Sequence, residues 1–353
     1  MKLTQFLKET DLDHSLLMGY YGGGNYGDEL LLEVMGNLLV KNQARDVVVT
    51  YADPATYGNY HHDFSYPRID IRSKPQLIRQ ILSKKNIIIG GGGLWGVDMN
   101  LNTFLMSVML FGARCLRKNV YLLGVGYYNS TNRLGHLGAR LSAKAARAII
   151  ARDEETRDNF AKYTKNVYLD TDIAWNIGTL DLRAYEPDVA ELEQRLKIKG
   201  KTLCISLRRP QAKHRQHEFT QFTEVVGSFI AANPKRPILI ALLESEAKSP
   251  LEYAKARQWQ RVYPNVQLLD FPHNPLALYL LFKKHRQELA LIGPQFHIII
   301  TAHLAGAPFM PMVYDNKVSA LLKQLAISED RHIPLSAVGR TNMQAFADSF
   351  FKG

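Results

Sequence analysis

A chain of 353 residues exceeds the roughly 250–300 that one hydrophobic core sustains, so two domains are expected. With 46% hydrophobic and 22% charged residues it is neither disordered nor fibrous, and two isolated cysteines, Cys115 and Cys204, exclude a disulfide framework or zinc cluster. Forty-four Lys and Arg against thirty-three Asp and Glu give a net charge of +11, which points to nucleic acid, anionic lipid or phosphorylated and carboxylated substrates. The basic clusters at 83–86, 114–119, 208–215 and 282–286 are short and lack interleaved aromatics, so a nucleic-acid partner is not expected.

The opening MKLTQFLKETDLDHSLL has acidic residues where a signal peptide needs an apolar core. No apolar run reaches the ~18 residues of a membrane span, and a cytoplasmic protein is expected. Strand signals then alternate with helical ones. SLLMGYY (15–21) precedes the helix-like DELLLEVMGNLLV (28–40), and DVVVTY (46–51) precedes SKPQLIRQILS (73–83). NIIIGG (86–91), NVYLLGVG (119–126), RAIIARD (147–153) and NVYLDTD (166–172) follow, with helices predicted at 101–116, 134–146 and 154–163. This alternation predicts an α/β fold with a parallel sheet covered by helices on both faces.

From about Ile177 the rhythm breaks into charged, helix-prone text, so residues 181–200 read as a connection between domains 1–180 and 201–330. Strands resume at TLCISLR (202–208), RPILIALL (236–243), NVQLLD (265–270), LALIG (289–293) and PFMPMVY (308–314). The tail, 331–353, has helical spacing and is expected to pack back across the first domain. Two tandem Rossmann-like domains result, with ligands expected in a cleft between them, outside the carboxyl ends of the strands.

The loop after the first strand contains G-x-G-x-x-G at Gly22, Gly24 and Gly27, the pattern of a dinucleotide site, with Asp53 as the acidic partner. Against that reading, the following helix opens with Asp28 and Glu29, whose carboxylates repel a pyrophosphate. Asp28 reads instead as the cap of its own helix, a role worth ~1 kcal/mol. Arg152, Arg208 and Arg209 follow strand ends and suit an anion, although each also suits a surface ion pair. His297 opens the helix FHIIITAHLAG; His303 lies six positions on, off its face, so no two-histidine metal site is expected. His61 and His62 read as loop residues.

Taken together, these segments resemble the polysaccharide pyruvyl transferase family. GYYGGGNYGDELLL is similar to its first-strand loop with N-x-G-D-E, and NIIIGGGGLW to its glycine-rich third strand. AIIARDEET resembles its R-D-x-x-S/T turn, LDTDIAWNI its D-x-A segment, ISLRRP its S-x-R stretch, and AGAPFMPMVYDNKV its AGVPF…YDPKV text. The resemblance implies a GT-B-like glycosyltransferase architecture. It also implies transfer of the carboxyethylidene group of phosphoenolpyruvate onto two sugar hydroxyls as a ketal. Where the family has R-L-H, this chain has Gln295-Phe296-His297, a neutral amide in place of a cation, with Arg208, Arg209 or Lys213 as substitutes.

On this resemblance His297 is the expected acid/base, because imidazole exchanges protons near neutral pH. Asp28, Asp153 and Asp172 are the carboxylates for sugar hydroxyls or the base, and the sequence does not choose among them. Arg152, Arg208, Arg209 and Gln295 would join His297 around the donor. Gly24, Asn25, Gly27, Gly91, Gly92 and Gly93 would lie against substrate. No metal and no cofactor beyond phosphoenolpyruvate as co-substrate are expected; the acceptor is a sugar of a polysaccharide or lipid-linked glycan. Peripheral contact with an anionic membrane surface is also expected. A glycosyltransferase using a nucleotide sugar, or a basic protein binding an anionic glycan or lipid headgroup, are the competing readings.

Overall fold

The computed structural model describes residues 1–52, 64–95, 101–128, 133–198, 200–209, 215–271, 274–328 and 331–352. The expectations placed on Asp53, His61, His62 and Lys213 fall outside them. The chain divides into two compact units, Met1–Gly23 with Asp28–Leu180, and Gly24–Gly27 with Asp181–Gly353.

The first unit is built on seven strands: β1 (Ser15–Met18), β2 (Val48–Tyr51), β3 (Arg68–Asp70), β4 (Asn86–Trp95), β5 (Asn119–Tyr127), β6 (Ala146–Ala151) and β7 (Val167–Leu169). Every pairing is parallel, in the order β3-β2-β1-β4-β5-β6-β7. Leu16 lies opposite Val48 on one side and Ile87 on the other, so the strand order reverses between β1 and β4. Both faces are covered, which is why β1 reads as an uninterrupted apolar run. Helices α3 (Lys74–Ser83), α4 (Leu101–Cys115), α5 (Arg133–Ala145) and α6 (Glu154–Ala161) share one face. There Leu77, Leu110, Ala139 and Phe160 enter a common core with Ile87, Ile89 and Leu122. Helix α1 (Leu3–Glu9) precedes β1, and α2 (Tyr26–Lys41) follows it and packs on the other face, with Leu31 against Gly91.

The strand signal read from sequence at 86–91 extends through the whole glycine run, as strand β4 continues to Trp95. Gly91 and Gly92 have φ of +87° and +92°, and the register with β5 shifts between Gly92 and Trp95. Only glycine adopts such angles without strain, so the run makes a bulge inside a strand. The third position of α2 falls to Asp28, not its cap: the side chain of Asn25 accepts from the Gly27 amide at 2.8 Å and caps the helix.

The second unit has six parallel strands: β8 (Thr202–Ser206), β9 (Ile238–Ala241), β10 (Val266–Leu269), β11 (Leu289–Gly293), β12 (Phe309–Val313) and β13 (Ile333–Pro334). Their order is β10-β9-β8-β11-β12-β13, reversing between β8 and β11 as the first sheet does between β1 and β4. Its helices are α7 (Glu186–Leu196), α8 (Gln216–Ala232), α9 (Pro250–Val262), α10 (Pro275–Lys284), α11 (Phe296–Ala305), α12 (Asn316–Gln324) and α13 (Arg340–Lys352).

Two boundaries differ from the sequence reading. The stretch taken as a connection holds α7, which buries Val189, Leu192 and Leu196 and ties Glu193 to Lys284 and His285 at the end of α10. The C-terminal helix α13 belongs to the second unit. It packs on α8 of its own unit, with Met343, Ala347 and Phe350 in the core and Asp348 2.6 Å from Arg236. Helical spacing shows that a face is buried, without showing what it is buried against.

Candidate functional site

In doubly wound sheets ligands sit where the strand order reverses, at the carboxyl ends of the strands. In the second unit that point is flanked by the segment after β8, carrying Arg208 and Arg209, and the segment after β11, carrying Gln295 and His297. The Gln295 amide nitrogen donates to the Leu207 carbonyl at 3.0 Å and so joins the two segments, while its oxygen is buried without a hydrogen-bond partner among the described residues. Gln295 stands at the cap position of α11 yet makes no side-chain cap. The first turn of α11 contains no acidic residue, which suits an anion.

His297 is half-buried in that first turn, edge-on to the Phe296 ring at 5.0 Å. Its imidazole lies directly on Gly27, where a β-carbon would fall 2.0 Å from Nδ1. The segment 24–27 is held by the extension of β9. Tyr26 donates its amide to the Leu243 carbonyl and Ser245 donates to the Gly24 carbonyl, both at 2.9 Å. The Tyr26 hydroxyl meets Thr301 of α11 at 2.7 Å. Glycine at 27 thus places an imidazole rather than a phosphate.

Glu244, just beyond β9, gathers three partners: the Arg208 guanidinium, the Ser249 hydroxyl at 2.6 Å and the Asn25 amide at 3.1 Å. Arg208 is therefore largely neutralised by a carboxylate, although its Nε has no hydrogen-bond partner among the described residues. Arg209 is more open; its backbone amide donates to Glu252 at 3.1 Å. The Ser206 hydroxyl is buried beside Gly293 without a hydrogen-bond partner among the described residues. Sequence reasoning missed Glu244. Its signal was position, the first charge after the apolar run ILIALL.

A second cluster lies at the carboxyl ends of β5, β6 and β7 in the first unit. Arg152, 3% exposed, donates to Asp172 at 2.9 Å and to the Tyr128 hydroxyl at 2.8 and 3.1 Å. Tyr128 in turn donates to Asp153 at 2.9 Å. Burial opposes the charge on Arg152, but Tyr128, Asp172 and Asp153 outweigh it and raise the guanidinium pKa further; burial pushes the Tyr128 phenol up as well. Both carboxylates also cap helical turns, Asp153 through the Thr156 amide and Asp172 through the Ala174 amide. Gly93 and Gly126 make room for the guanidinium: added β-carbons would lie 3.3 and 2.9 Å from its nitrogens.

The sequence-derived residues thus fall into separate groups. Asn25, Gly27, Arg208, Gln295 and His297 converge in the second unit, with Gly24 against Ser245 beside them. Gly93, Arg152, Asp153 and Asp172 converge in the first. Gly91 and Gly92 form the β4 bulge, and Asp28 occupies the first turn of α2. The dinucleotide pattern meets a physical objection here. Buried Glu29 accepts the Gly22 amide at 2.8 Å, placing a carboxylate where a pyrophosphate would bind.

The family model described as polysaccharide pyruvyl transferase matches residues 25–316. No curated protein matches the chain. Among solved structures, the chain is similar to UDP-GlcNAc 2-epimerase from Methanocaldococcus jannaschii in complex with UDP-GlcNAc and UDP. The TM-score is 0.63 at 11% identity, over 96% of this chain and 92% of that one. It is also similar to a putative UDP-N-acetylglucosamine 2-epimerase from Listeria monocytogenes, with a TM-score of 0.59 at 11% identity over 97% and 88%. UDP-GlcNAc 2-epimerase from Neisseria meningitidis bound to UDP-GlcNAc gives 0.55 at 13% identity over 96% and 90%. At such identities the likeness is one of fold, two parallel-sheet α/β units of the GT-B type.

Proposed function

The chain belongs to the polysaccharide pyruvyl transferase family, and on that premise we propose that it moves the carboxyethylidene group of phosphoenolpyruvate onto two hydroxyls of one sugar in a polysaccharide or lipid-linked glycan. One hydroxyl adds to C2 of the donor while C3 takes a proton and becomes a methyl group. The second hydroxyl then bonds to C2, the C2–O bond to phosphate breaks, and inorganic phosphate leaves with the displaced charge. The observation that carries this reading is the placement of His297 on Gly27 in the first turn of α11, beside Gln295 and the segment bearing Arg208 and Arg209. His297 is the proposed proton donor to C3. Arg209 and the first-turn amides of α11 are proposed to hold phosphate and carboxylate. The base for the attacking hydroxyl is proposed among Asp28, Asp153 and Asp172. A cytoplasmic location is part of the same proposal.

Thermal denaturation with phosphoenolpyruvate, inorganic phosphate and UDP is the first test. A ligand at 100 times its dissociation constant stabilises by ~2.7 kcal/mol, well within reach of a melting curve. Stabilisation by phosphoenolpyruvate beyond phosphate supports the reading, and phosphate release on adding a glycan acceptor would complete it. Gln295 favours a second reading, sugar transfer from a nucleotide sugar, because the missing charge weakens a carboxylate-bearing donor by about 1.5–3 kcal/mol. Stabilisation by UDP alone would replace the first reading with the second.

A further inference from the structure

Helix α4 departs from the usual surface helix, which turns an apolar stripe inward and a polar face outward. Its inner side buries Ser107, Leu110 and Ala113. Its outer side carries Leu101, Leu105, Val108 and Phe111, which are 64%, 49%, 43% and 37% exposed. No charged residue occurs from Leu101 to Ala113. Neighbouring α3 adds exposed Ile78 and Leu82, and α5 adds exposed Leu134 and Leu137. The three helices form one layer, because Ile81, Leu110 and Ala143 all enter the same core on the same face of the sheet. Nine of the fourteen exposed large hydrophobic side chains among the described residues fall between Ile78 and Leu137. Single apolar side chains on a surface need no explanation, but a set gathered on one layer marks a docking face.

The excess of positive charge lies in the same stretch of sequence. Residues 71–151 contain twelve Lys and Arg and one acidic residue, Asp98. The other 272 residues contain thirty-two of each sign, so this block holds the whole excess of +11. Arg79 on α3, Arg114 on α4, and Arg140 and Lys144 on α5 are exposed, and none of the three helices contains an Asp or Glu. Past the end of α4 the surface runs into an open recess of about 480 Å³ lined in part by Arg117 and Lys118, with Lys84 and Lys85 there paired to Asp46 and Asp11.

We propose that the outer face of α3, α4 and α5 docks the protein on an anionic bilayer, its apolar side chains seated at the acyl boundary and its cations on lipid phosphates. Charge decides the occupant: two copies joined through this face would set one positive block against another, whereas an anionic leaflet neutralises it. Among the described residues no helix is long and apolar enough to cross a membrane, which makes the contact peripheral. The inference does not depend on the donor chemistry.

The full chain is mixed with vesicles of equal parts phosphatidylglycerol and phosphatidylcholine, and separately with phosphatidylcholine vesicles, and the bound fraction is read by sedimentation. Exposed Cys115 at the end of α4 accepts an environment-sensitive dye, while Cys204 is buried. The expected result is binding to the anionic vesicles, reversal by salt and a blue shift of the dye. Arg114→Gln and Arg140→Gln each lower the partition coefficient about fivefold, as ~1 kcal/mol per cation implies. Leu105→Asp with Val108→Asp abolishes binding at an unchanged melting temperature. Wild-type protein that stays in solution with both vesicles overturns the proposal, as does equal binding to both that ignores the substitutions. A solution dimer dissociated by Leu105→Asp and Val108→Asp, with no vesicle binding, assigns the face to a second copy and also overturns it.

Discussion

Gly27 and His297 occupy one space: the imidazole rests where the β-carbon of any other residue at 27 would be. Inside an ordinary helix, alanine in place of glycine gains up to ~1 kcal/mol. Here the added methyl displaces the ring. Gly27→Ala is expected to lower kcat about 100-fold, the scale of a lost acid/base group, with little effect on the melting temperature. In a His297→Ala background the space is vacant, and Gly27→Ala should stabilise by up to ~1 kcal/mol. Urea melts of the four proteins give the coupling; equal stability changes in both backgrounds would disprove it.

Arg152 and Asp172 are a buried ion pair, 3% and 1% exposed. Removing one member of such a pair strands the other charge, which costs about 3–5 kcal/mol. Arg152→Met and Asp172→Asn should each show that loss in urea unfolding. Arg152→Met with Asp172→Asn should cost less than the two single changes added together. Strict additivity would show that the pair is not a unit.

The proposed donor site makes different demands on its two arginines. Arg208 is bound to Glu244, so Arg208→Gln should reduce stability by breaking that bond. The backbone amide of Arg209 donates to Glu252. Arg209→Gln should raise KM for phosphoenolpyruvate about tenfold or more, the equivalent of one charge-assisted bond, with stability within ~0.5 kcal/mol of wild type. Gln295→Arg should shift KM in the opposite direction. Steady-state kinetics with varied donor decides; an unchanged KM in Arg209→Gln would remove that residue from the site.

Acid sensitivity should appear at Glu193. Burial raises its carboxyl, but hydrogen bonds from Lys284 and His285 outweigh burial and hold it below 4.5. A carboxyl depressed in the folded state contributes stability that is complete above its unfolded value. That contribution is lost as pH falls through the folded value. The stability difference between wild type and Glu193→Gln should therefore be largest above about pH 5 and fade on further acidification. Urea melts across that range test it, and a difference independent of pH would show that the carboxyl titrates alike in both states.

The parallel sheets were legible because buried strands are written as β-branched runs, such as NIII and ILIA, that hardly resemble anything else. Edge strands β3 and β13 escaped because RID and IP hold no apolar run, unlike the equally short VYL of β7. The histidine at 297 was legible from its place at the head of an apolar helix. Its fit against Gly27 was not, since 270 residues separate them and glycine has no side chain to advertise a partner. Glu244 was hidden for a similar reason: ESE reads as solvated surface until the fold brings Arg208 and Asn25 to it. The destination of α13 was hidden too, because one amphipathic face fits any apolar surface.

The glycines of β4 and β5 also bear on how such a chain can drift. At Gly90, Gly124 and Gly126 the place of the missing side chain is already filled, by Tyr21, Ile173 and Arg152 respectively. A single replacement at any of them collides with a neighbour, so neither partner can change first without loss. Substitution there must proceed in pairs, with the intruding side chain shrinking before or together with the glycine. Related sequences should then show larger residues at 126 only where 152 is no longer arginine. The first unit would vary along such coupled positions far more slowly than across its outer helices.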